Sequence, residues 1–177
     1  WITQASFKAT GKTNRIVLDL SGGNPLPSCQ CFYEGNDGND SIVVTGKDPN
    51  GPAEIIYSWA TKGDLKINGK AMAFSSVNAF EISARTGLLE CQVPAGNYSI
   101  NLESAKTQSA PETIAKASCP DLPVLSFPPA QLLRLRGGSS TTVSLTGNEF
   151  RSKGSLDVTG LKNLDLHGRY DLEGDID

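Results

Sequence analysis

Turn-forming residues interrupt this chain about every 8–12 residues, and the segments between them alternate apolar and polar side chains. The 177 residues include 18 Gly and 10 Pro, and clear alternating segments are 15–20, 55–59 and 88–93. This spacing favours many short strands, because an amphipathic helix needs apolar residues at every third or fourth position. The chain is therefore predicted to be all-β, with two packed sheets favoured over a closed barrel.

The expected architecture is an Ig-like antiparallel β-sandwich followed by a short β-meander as a C-terminal appendage. Residues 1–150 are assigned to the sandwich. Residues 151–177 are assigned to the appendage or to the start of a further β element, because Gly160, Gly168 and Gly174 separate very short alternating segments there.

Three local patterns carry more specific predictions. The Asn68-Gly69 pair predicts a tight hairpin turn. Residues 104–118 predict a loop with at most one helical turn, because large apolar residues are scarce and Pro111 interrupts the segment. The Pro-rich segment 120–129 predicts an extended strand at a sheet edge.

Four cysteines, Cys29, Cys31, Cys91 and Cys119, bear on the cellular compartment. Their even number permits two disulfides with three possible connectivities. A bond between Cys29 and Cys31 would be strained, so each is expected to reach Cys91 or Cys119. Two such bonds predict an oxidising compartment, so the domain is expected to be secreted, on a cell surface or periplasmic. Four reduced thiols and a zinc site are the alternatives.

Composition excludes two classes of partner and bears on targeting. The formal net charge is -3 and only 20% of residues are charged, without the concentrated basic face that nucleic-acid binding needs. No apolar run approaches the roughly 20 residues of a membrane-spanning helix, so a soluble domain is expected. The start at Trp1 is read as a removed signal peptide or a trimmed chain.

Catalytic constellations are weak in this sequence. His167 is the single histidine, and its alternating neighbours predict a solvent-exposed side chain rather than a proton relay. The 19 acidic residues allow many accidental carboxylate pairs of the kind that glycosidases use. Those of the C-terminal segments are more simply the polar face of short strands: Asp157, Asp165, Asp171 and Glu173. The chain is predicted not to be an enzyme, and a carboxylate-pair hydrolase is the third functional alternative.

The segment 35–42 resembles one unit of the calcium-binding nonapeptide repeat of bacterial secreted toxins and proteases. The resemblance implies Asn36, Asp37, Asn39 and Asp40 as calcium ligands, whereas turn sterics explain the same residues without a metal. No cofactor is expected, and calcium is the alternative that this segment suggests.

A second resemblance is carried by residues 93–102, which contain Pro94-Ala95-Gly96-Asn97-Tyr98. This segment is similar to a turn and strand of bacterial surface β-sandwiches, including fimbrial subunits assembled by the chaperone-usher route. The resemblance implies an incomplete sandwich that a neighbour's donor strand fills, and segments 2–10 and 155–166 could each serve as such a strand. The four cysteines depart from the family pattern of one disulfide.

The expected function is surface binding without catalysis, as a bacterial surface or pilus-type structural or adhesive subunit. The partner would be a protein that binds by β-strand addition or surface contact, with a glycan as a further possibility. The alternative is a carbohydrate- or calcium-binding module that uses the loop 34–41.

Overall fold

The computed structural model describes residues 4–36, 38–106, 113–128, 132–152, 154–172, 174 and 176, which form strands and turns with no helix among them. The strands in chain order are β1 (Gln4–Lys8), β2 (Thr13–Asp19), β3 (Gln30–Glu34), β4 (Asn39–Thr45), β5 (Ala53–Ser58), β6 (Gly63–Ile67), β7 (Lys70–Ser75), β8 (Ala79–Ile82), β9 (Thr86–Gln92), β10 (Gly96–Lys106), β11 (Thr113–Cys119), β12 (Leu122–Phe127), β13 (Leu132–Arg136), β14 (Thr141–Ser152), β15 (Ser155–Thr159) and β16 (Asn163–Leu172).

These strands form two sheets of eight strands each, which face one another in a sandwich-like arrangement. Sheet A has the order β1-β3-β7-β6-β5-β9-β13-β15, and sheet B has the order β16-β14-β10-β11-β12-β8-β4-β2. The predicted all-β, two-sheet class is confirmed.

The chain coils between the two sheets, so that each turn of the coil lays a strand parallel to the strand one turn earlier. Gln4 lies beside Gln30 in sheet A, and Thr13 lies beside Asn39 in sheet B. Two antiparallel excursions, β5–β6–β7 in sheet A and β10–β11–β12 in sheet B, interrupt the coil. The architecture is a two-sheet β-solenoid with two inserted hairpins.

The predicted Ig-like antiparallel topology is wrong in its strand directions, since antiparallel pairs occur only within the two excursions. The physical reason is that an apolar core between two sheets requires the same alternation whichever way neighbouring strands run. Most of the turn signals mark corners where the chain passes from one sheet to the other, rather than hairpins within one sheet.

The short C-terminal meander is not found either. β15 pairs in parallel with β13, and β16 pairs in parallel with β14, so these strands complete sheets A and B. The predicted boundary after residue 150 falls inside β14. The division into two domains stays a prediction.

Of the local predictions, the hairpin at Asn68-Gly69 is confirmed, with φ angles of 46° and 79° between antiparallel β6 and β7. The predicted loop with at most one helical turn in 104–118 is wrong for the described residues, which belong to β10 and β11. Residues 107–112 lie outside the described part of the chain. The Pro-rich segment is extended as predicted, but β12 lies between β11 and β8 rather than at an edge.

The core fills the space between the sheets with columns of side chains, each contributed by register neighbours on successive strands. One column of sheet B contains Ile16, Ile42, Phe80, Leu125, Ala117 and Leu102, and continues to Gly147 and Gly168. Trp59 is fully buried, and its Nε1 donates a hydrogen bond of 2.7 Å to the Pro123 carbonyl. This bond links the end of β5 to a strand of the opposite sheet.

Candidate interaction edge

The last strand of sheet B, β16, forms an open edge of the molecule. It pairs on one side with β14, and no further strand of the described chain lies on its other side. An edge strand directs the backbone N–H and C=O groups of alternate residues away from its sheet, where another strand can bind them. We call β16 together with Ile176 the C-terminal edge.

Two leucines of β16 continue columns of the core into solvent. Leu164 lies beside Val143 and Leu166 lies beside Leu145. Val143 and Leu145 are fully buried, whereas Leu164 is 36% exposed and Leu166 is 42% exposed. Both leucines face the core, but no described strand lies beyond β16 to cover them. Their apolar side chains are therefore in contact with water.

Sheet A ends at the same end of the molecule in a similar way. Ile176 forms a parallel bridge with Leu156 of β15. Leu156 is fully buried and Ile176 is 45% exposed. Both sheets therefore present exposed apolar side chains at the C-terminal edge.

Tyr170 holds β16 in place against the core. Its hydroxyl donates a hydrogen bond of 3.0 Å to the Leu145 carbonyl, and its ring packs edge-on against Phe150 at 6.4 Å. Burial raises the pKa of Tyr170, so the phenol stays protonated and can donate. Gly147 leaves the space for this ring, because a Cβ there would lie 2.7 Å from Tyr170 Cζ.

The polar face of β16 carries charges of both signs. Asp165, His167 and Arg169 alternate with the core-facing positions, and all three are exposed. None of them forms an ion pair within the described ranges. The sequence prediction of a solvent-exposed His167 is confirmed.

The opposite end of the coil, formed by β1 and β2, has a different character. Asn14 lies on the core-facing side of β2, and Arg15 forms an ion pair with Glu81 at 3.0 Å. Lys8 of β1 contacts Glu34 at 3.3 Å. This end also exposes Phe7, at 50%, but its Lys8 and Arg15 are already in ion pairs.

The predicted calcium ligands lie at the corner between β3 and β4. Asn39 is exposed, and Asp37 lies outside the described residues. The amide of Asn36 accepts a hydrogen bond from the Gly38 N–H at 2.8 Å and donates to the Gly11 carbonyl.

Asp40 is fully buried and accepts three hydrogen bonds. They come from the Asn36 N–H at 2.6 Å, the Asn14 N–H at 2.9 Å and the Asn14 side-chain amide at 2.7 Å. Burial acts to raise the pKa of Asp40, but these hydrogen bonds outweigh it, so the pKa lies below its ordinary value of 3.8. Both carboxylate oxygens hold the corner together, and no cluster of three or more metal-binding side chains occurs in the described ranges. Calcium binding stays a prediction.

The predicted disulfides are wrong for this structure, in which all four cysteines are free thiols and none lies at bonding distance from another. Cys31 on β3 and Cys91 on β9 face the same core from one sheet with three strands between them. At about 4.8 Å per strand, they are about 19 Å apart. Cys119 lies on β11 of the other sheet, and Cys29 precedes β3. Sequence spacing cannot reveal this separation, because it depends on strand order.

The acidic residues considered for catalysis do not form a described pair. Asp157 binds Arg134 Nε at 2.6 Å in a structural ion pair, and Asp165 is exposed on the edge strand. Glu173 and the side chain of Asp171 lie outside the described part of the chain.

A shallow groove of about 330 Å³ lies over β1, β3 and β7. Its lining comprises Ser6, Phe32, Tyr33, Glu34, Ala73, Phe74 and Ser75. Phe32 is 37% exposed, so one aromatic ring is accessible beside hydroxyl and carboxylate groups. The sequence prediction of a ligand loop at 34–41 included Glu34 but missed this ring.

Fold and edge together define a class of protein, a two-sheet β-solenoid whose last described strand in sheet B carries exposed apolar side chains. Comparison with protein-family models, with curated proteins and with solved structures finds no match to the chain. The described ranges contain no helix long and apolar enough to cross a membrane.

Proposed function

We propose that this chain is a structural or adhesive domain without catalytic activity, which binds a protein partner by β-strand addition at the C-terminal edge. The observation that carries the proposal is the exposure of Leu164 and Leu166 beside the fully buried Val143 and Leu145 of β14. Apolar side chains exposed along an edge strand favour association with another strand.

A strand added to β16 would gain two kinds of interaction. Main-chain hydrogen bonds would form along the unpaired edge, as in other cases of strand addition. Leu164, Leu166 and Ile176 keep 36%, 42% and 45% of their surface exposed. Since full burial of such a side chain contributes about 1.5–3 kcal/mol, covering the remainder contributes about 2–4 kcal/mol in total. The apolar term alone supports weak binding, so the hydrogen bonds must supply the rest.

Strand addition is also the assembly mode that the fimbrial resemblance implies, and this agreement supports a structural or adhesive role. A location outside the cytosol stays a prediction. It loses the support of the disulfides, because the cysteines are free thiols.

A labelled peptide that copies residues 155–172, one turn of the coil itself, tests the proposal by fluorescence anisotropy with the full chain. The intact protein is expected to bind the peptide, and the double variant Leu164→Lys, Leu166→Lys is expected to lose binding. Val17→Lys is the matched control, because Val17 is 49% exposed on the other edge strand of sheet B. Equal binding by the double variant, or no binding by the intact protein, would contradict the proposal.

The groove over β1, β3 and β7 supports a second candidate, a carbohydrate-binding module. Its volume of about 330 Å³ is at the lower end of ligand-pocket sizes. The exposed Phe32 ring could stack on a sugar, with Ser6 and Glu34 as hydrogen-bond partners. Titration calorimetry with neutral cello-, xylo- and chito-oligosaccharides tests this candidate. Binding should be lost in Phe32→Ala and kept in Val124→Ala, which removes an exposed side chain of sheet B.

A further inference from the structure

We propose that the strand added at the C-terminal edge is β16 of a second copy of this chain. The two strands would lie antiparallel, related by a two-fold axis that passes between the two copies of His167. This inference rests on the proposed function and names its partner. A two-fold arrangement makes the two surfaces identical, so the edge must be complementary to itself. The residues of β16 meet this requirement on both of its faces.

On the polar face, the charges of the two copies match. In an antiparallel pair centred on residue 167, Asp165 lies opposite Arg169 of the second copy, and the symmetry repeats this pair on the other side of the axis. Both side chains are exposed, and neither forms an ion pair in the described ranges. Opposite charges directly across an antiparallel pair stabilise that register.

On the core-facing side, the same register pairs each exposed leucine with a residue of the second copy. Leu166 lies opposite Gly168 of the second copy, where the missing side chain leaves room for it. Leu164 lies opposite Tyr170, whose ring already packs on the core. The exposed leucines would therefore enter a core that is continuous between the two copies.

The orientation of the sheets is compatible with this pairing. A two-fold axis perpendicular to sheet B keeps the inner face of each copy directed inward. The same operation brings the ends of sheet A towards one another, so Ile176 also faces the second copy. All three exposed apolar residues of the C-terminal edge then lie in one interface.

Head-to-tail stacking of copies fits the structure less well. Across sheet B, Ile16 of β2 lies at the same level as Gly168 of β16. If a second copy placed its β2 beside β16 in this register, its Asn14 would contact Leu166, because each lies two residues earlier. A polar amide that already binds Asp40 would then meet an apolar side chain. The same stacking would place Arg15 beside His167 and would produce an open filament rather than a closed dimer.

Charge reversal with rescue tests the register, using sedimentation velocity of the full chain from micromolar to submillimolar concentration. The intact protein is expected to form a concentration-dependent dimer. Asp165→Lys and Arg169→Asp should each weaken the dimer about tenfold or more, and the double variant should restore it because the pair is reversed as a whole. Val17→Lys is expected to dimerise like the intact protein.

Cysteine cross-linking tests the position of the axis. His167→Cys in a Cys29→Ser background should form a disulfide-linked dimer under mild oxidation, because residues directly opposite in an antiparallel pair lie within disulfide range. Asp165→Cys in the same background should not, because the two copies of residue 165 would be about 13 Å apart along the strands.

The outcomes separate this inference from the proposed function. A protein that stays monomeric but binds the peptide of residues 155–172 overturns the dimer and leaves strand addition standing. A monomer that binds no peptide overturns both. A dimer that depends on the leucines but is not rescued by the double charge reversal overturns the assigned register.

Discussion

Asp40 illustrates how single polar residues organise the corners of the coil. Its carboxylate binds Asn14 one turn earlier, and its own N–H donates to the Asn78 side chain one turn later at 3.1 Å. Asn14, Asp40 and Asn78 thus form a polar ladder at the start of three neighbouring strands of sheet B. A buried carboxylate with three donors stabilises a fold only while it remains ionised.

The first prediction concerns Asp40→Asn and its dependence on pH. At neutral pH the free energy of unfolding of the variant should be lower by about 1–3 kcal/mol. The NH2 group of the asparagine would replace a carboxylate oxygen and would face N–H donors instead of accepting hydrogen bonds from them. Since the folded pKa of Asp40 is lowered, its contribution is complete above the unfolded value and is lost as pH falls through the folded value. Thermal unfolding from pH 7 to pH 2 should therefore show the gap between the two proteins narrowing below about pH 4.

The matched control for this experiment is Asp64→Asn, on the exposed face of β6. It should follow the intact protein at every pH. A constant gap for Asp40→Asn across the acid range would show that the ionised carboxylate is not the stabilising species.

The second prediction concerns the cysteines. Protein unfolded in guanidinium without reductant should titrate four thiols with Ellman's reagent. In the folded protein the half-exposed Cys29 should react first and Cys91 last, because burial raises the pKa of Cys91 to about 12 and only the thiolate is nucleophilic. Two or no titratable thiols in the unfolded chain would contradict the free cysteines of the structure.

At the scale of elements, an ion-pair row ties the last strands of sheet A together. Glu90 of β9, Arg134 of β13 and Asp157 of β15 are register neighbours. Arg134 binds Asp157 at 2.6 Å and Glu90 at 3.5 Å, and these bonds, with Asp157 first, raise its pKa. The Glu90 side chain is only 4% exposed, and its partners are Arg134, Gln92 at 3.2 Å and Arg136 at 3.9 Å.

The third prediction follows from that burial. Arg134→Ala should lower the free energy of unfolding by about 3 kcal/mol, because it leaves a buried carboxylate without its main partner. Arg136→Ala is the control, since Arg136 is 63% exposed and lies 3.9 Å from Glu90, and it should cost less than about 1 kcal/mol. Urea unfolding measures both variants, and equal losses would show that the row does not stabilise the sheet.

At the scale of the whole molecule, stability depends on the contacts that each turn of the coil makes with its neighbouring turns. Each strand inside a sheet has partners on both sides, whereas β1, β2, β15 and β16 have a neighbouring strand on one side only among the residues that the structure describes. In such quasi-one-dimensional folds, stability is approximately a sum of repeat and interface terms. The ends should therefore open more readily than the middle.

The fourth prediction applies this to hydrogen exchange. At low concentration, amides of β1, β2 and β16 should exchange faster than those of β5, β8 and β9, as measured by mass spectrometry. Raising the concentration should slow exchange in β16 but not in β2, because the proposed dimer covers only the C-terminal edge. Uniform exchange across the strands would contradict the view of independent turns.

The sequence by itself determined the local features of this protein. Alternation predicted strands such as β2 and β9 and their buried faces, Asn68-Gly69 predicted a hairpin, and the alternation around His167 predicted its exposure, because each depends on residues close together in the chain. Only the tertiary structure decided strand direction, the spacing of Cys31 from Cys91 and the exposure of Leu166. These depend on which turn of the coil lies beside which, and the same alternating pattern packs a core in parallel or antiparallel sheets.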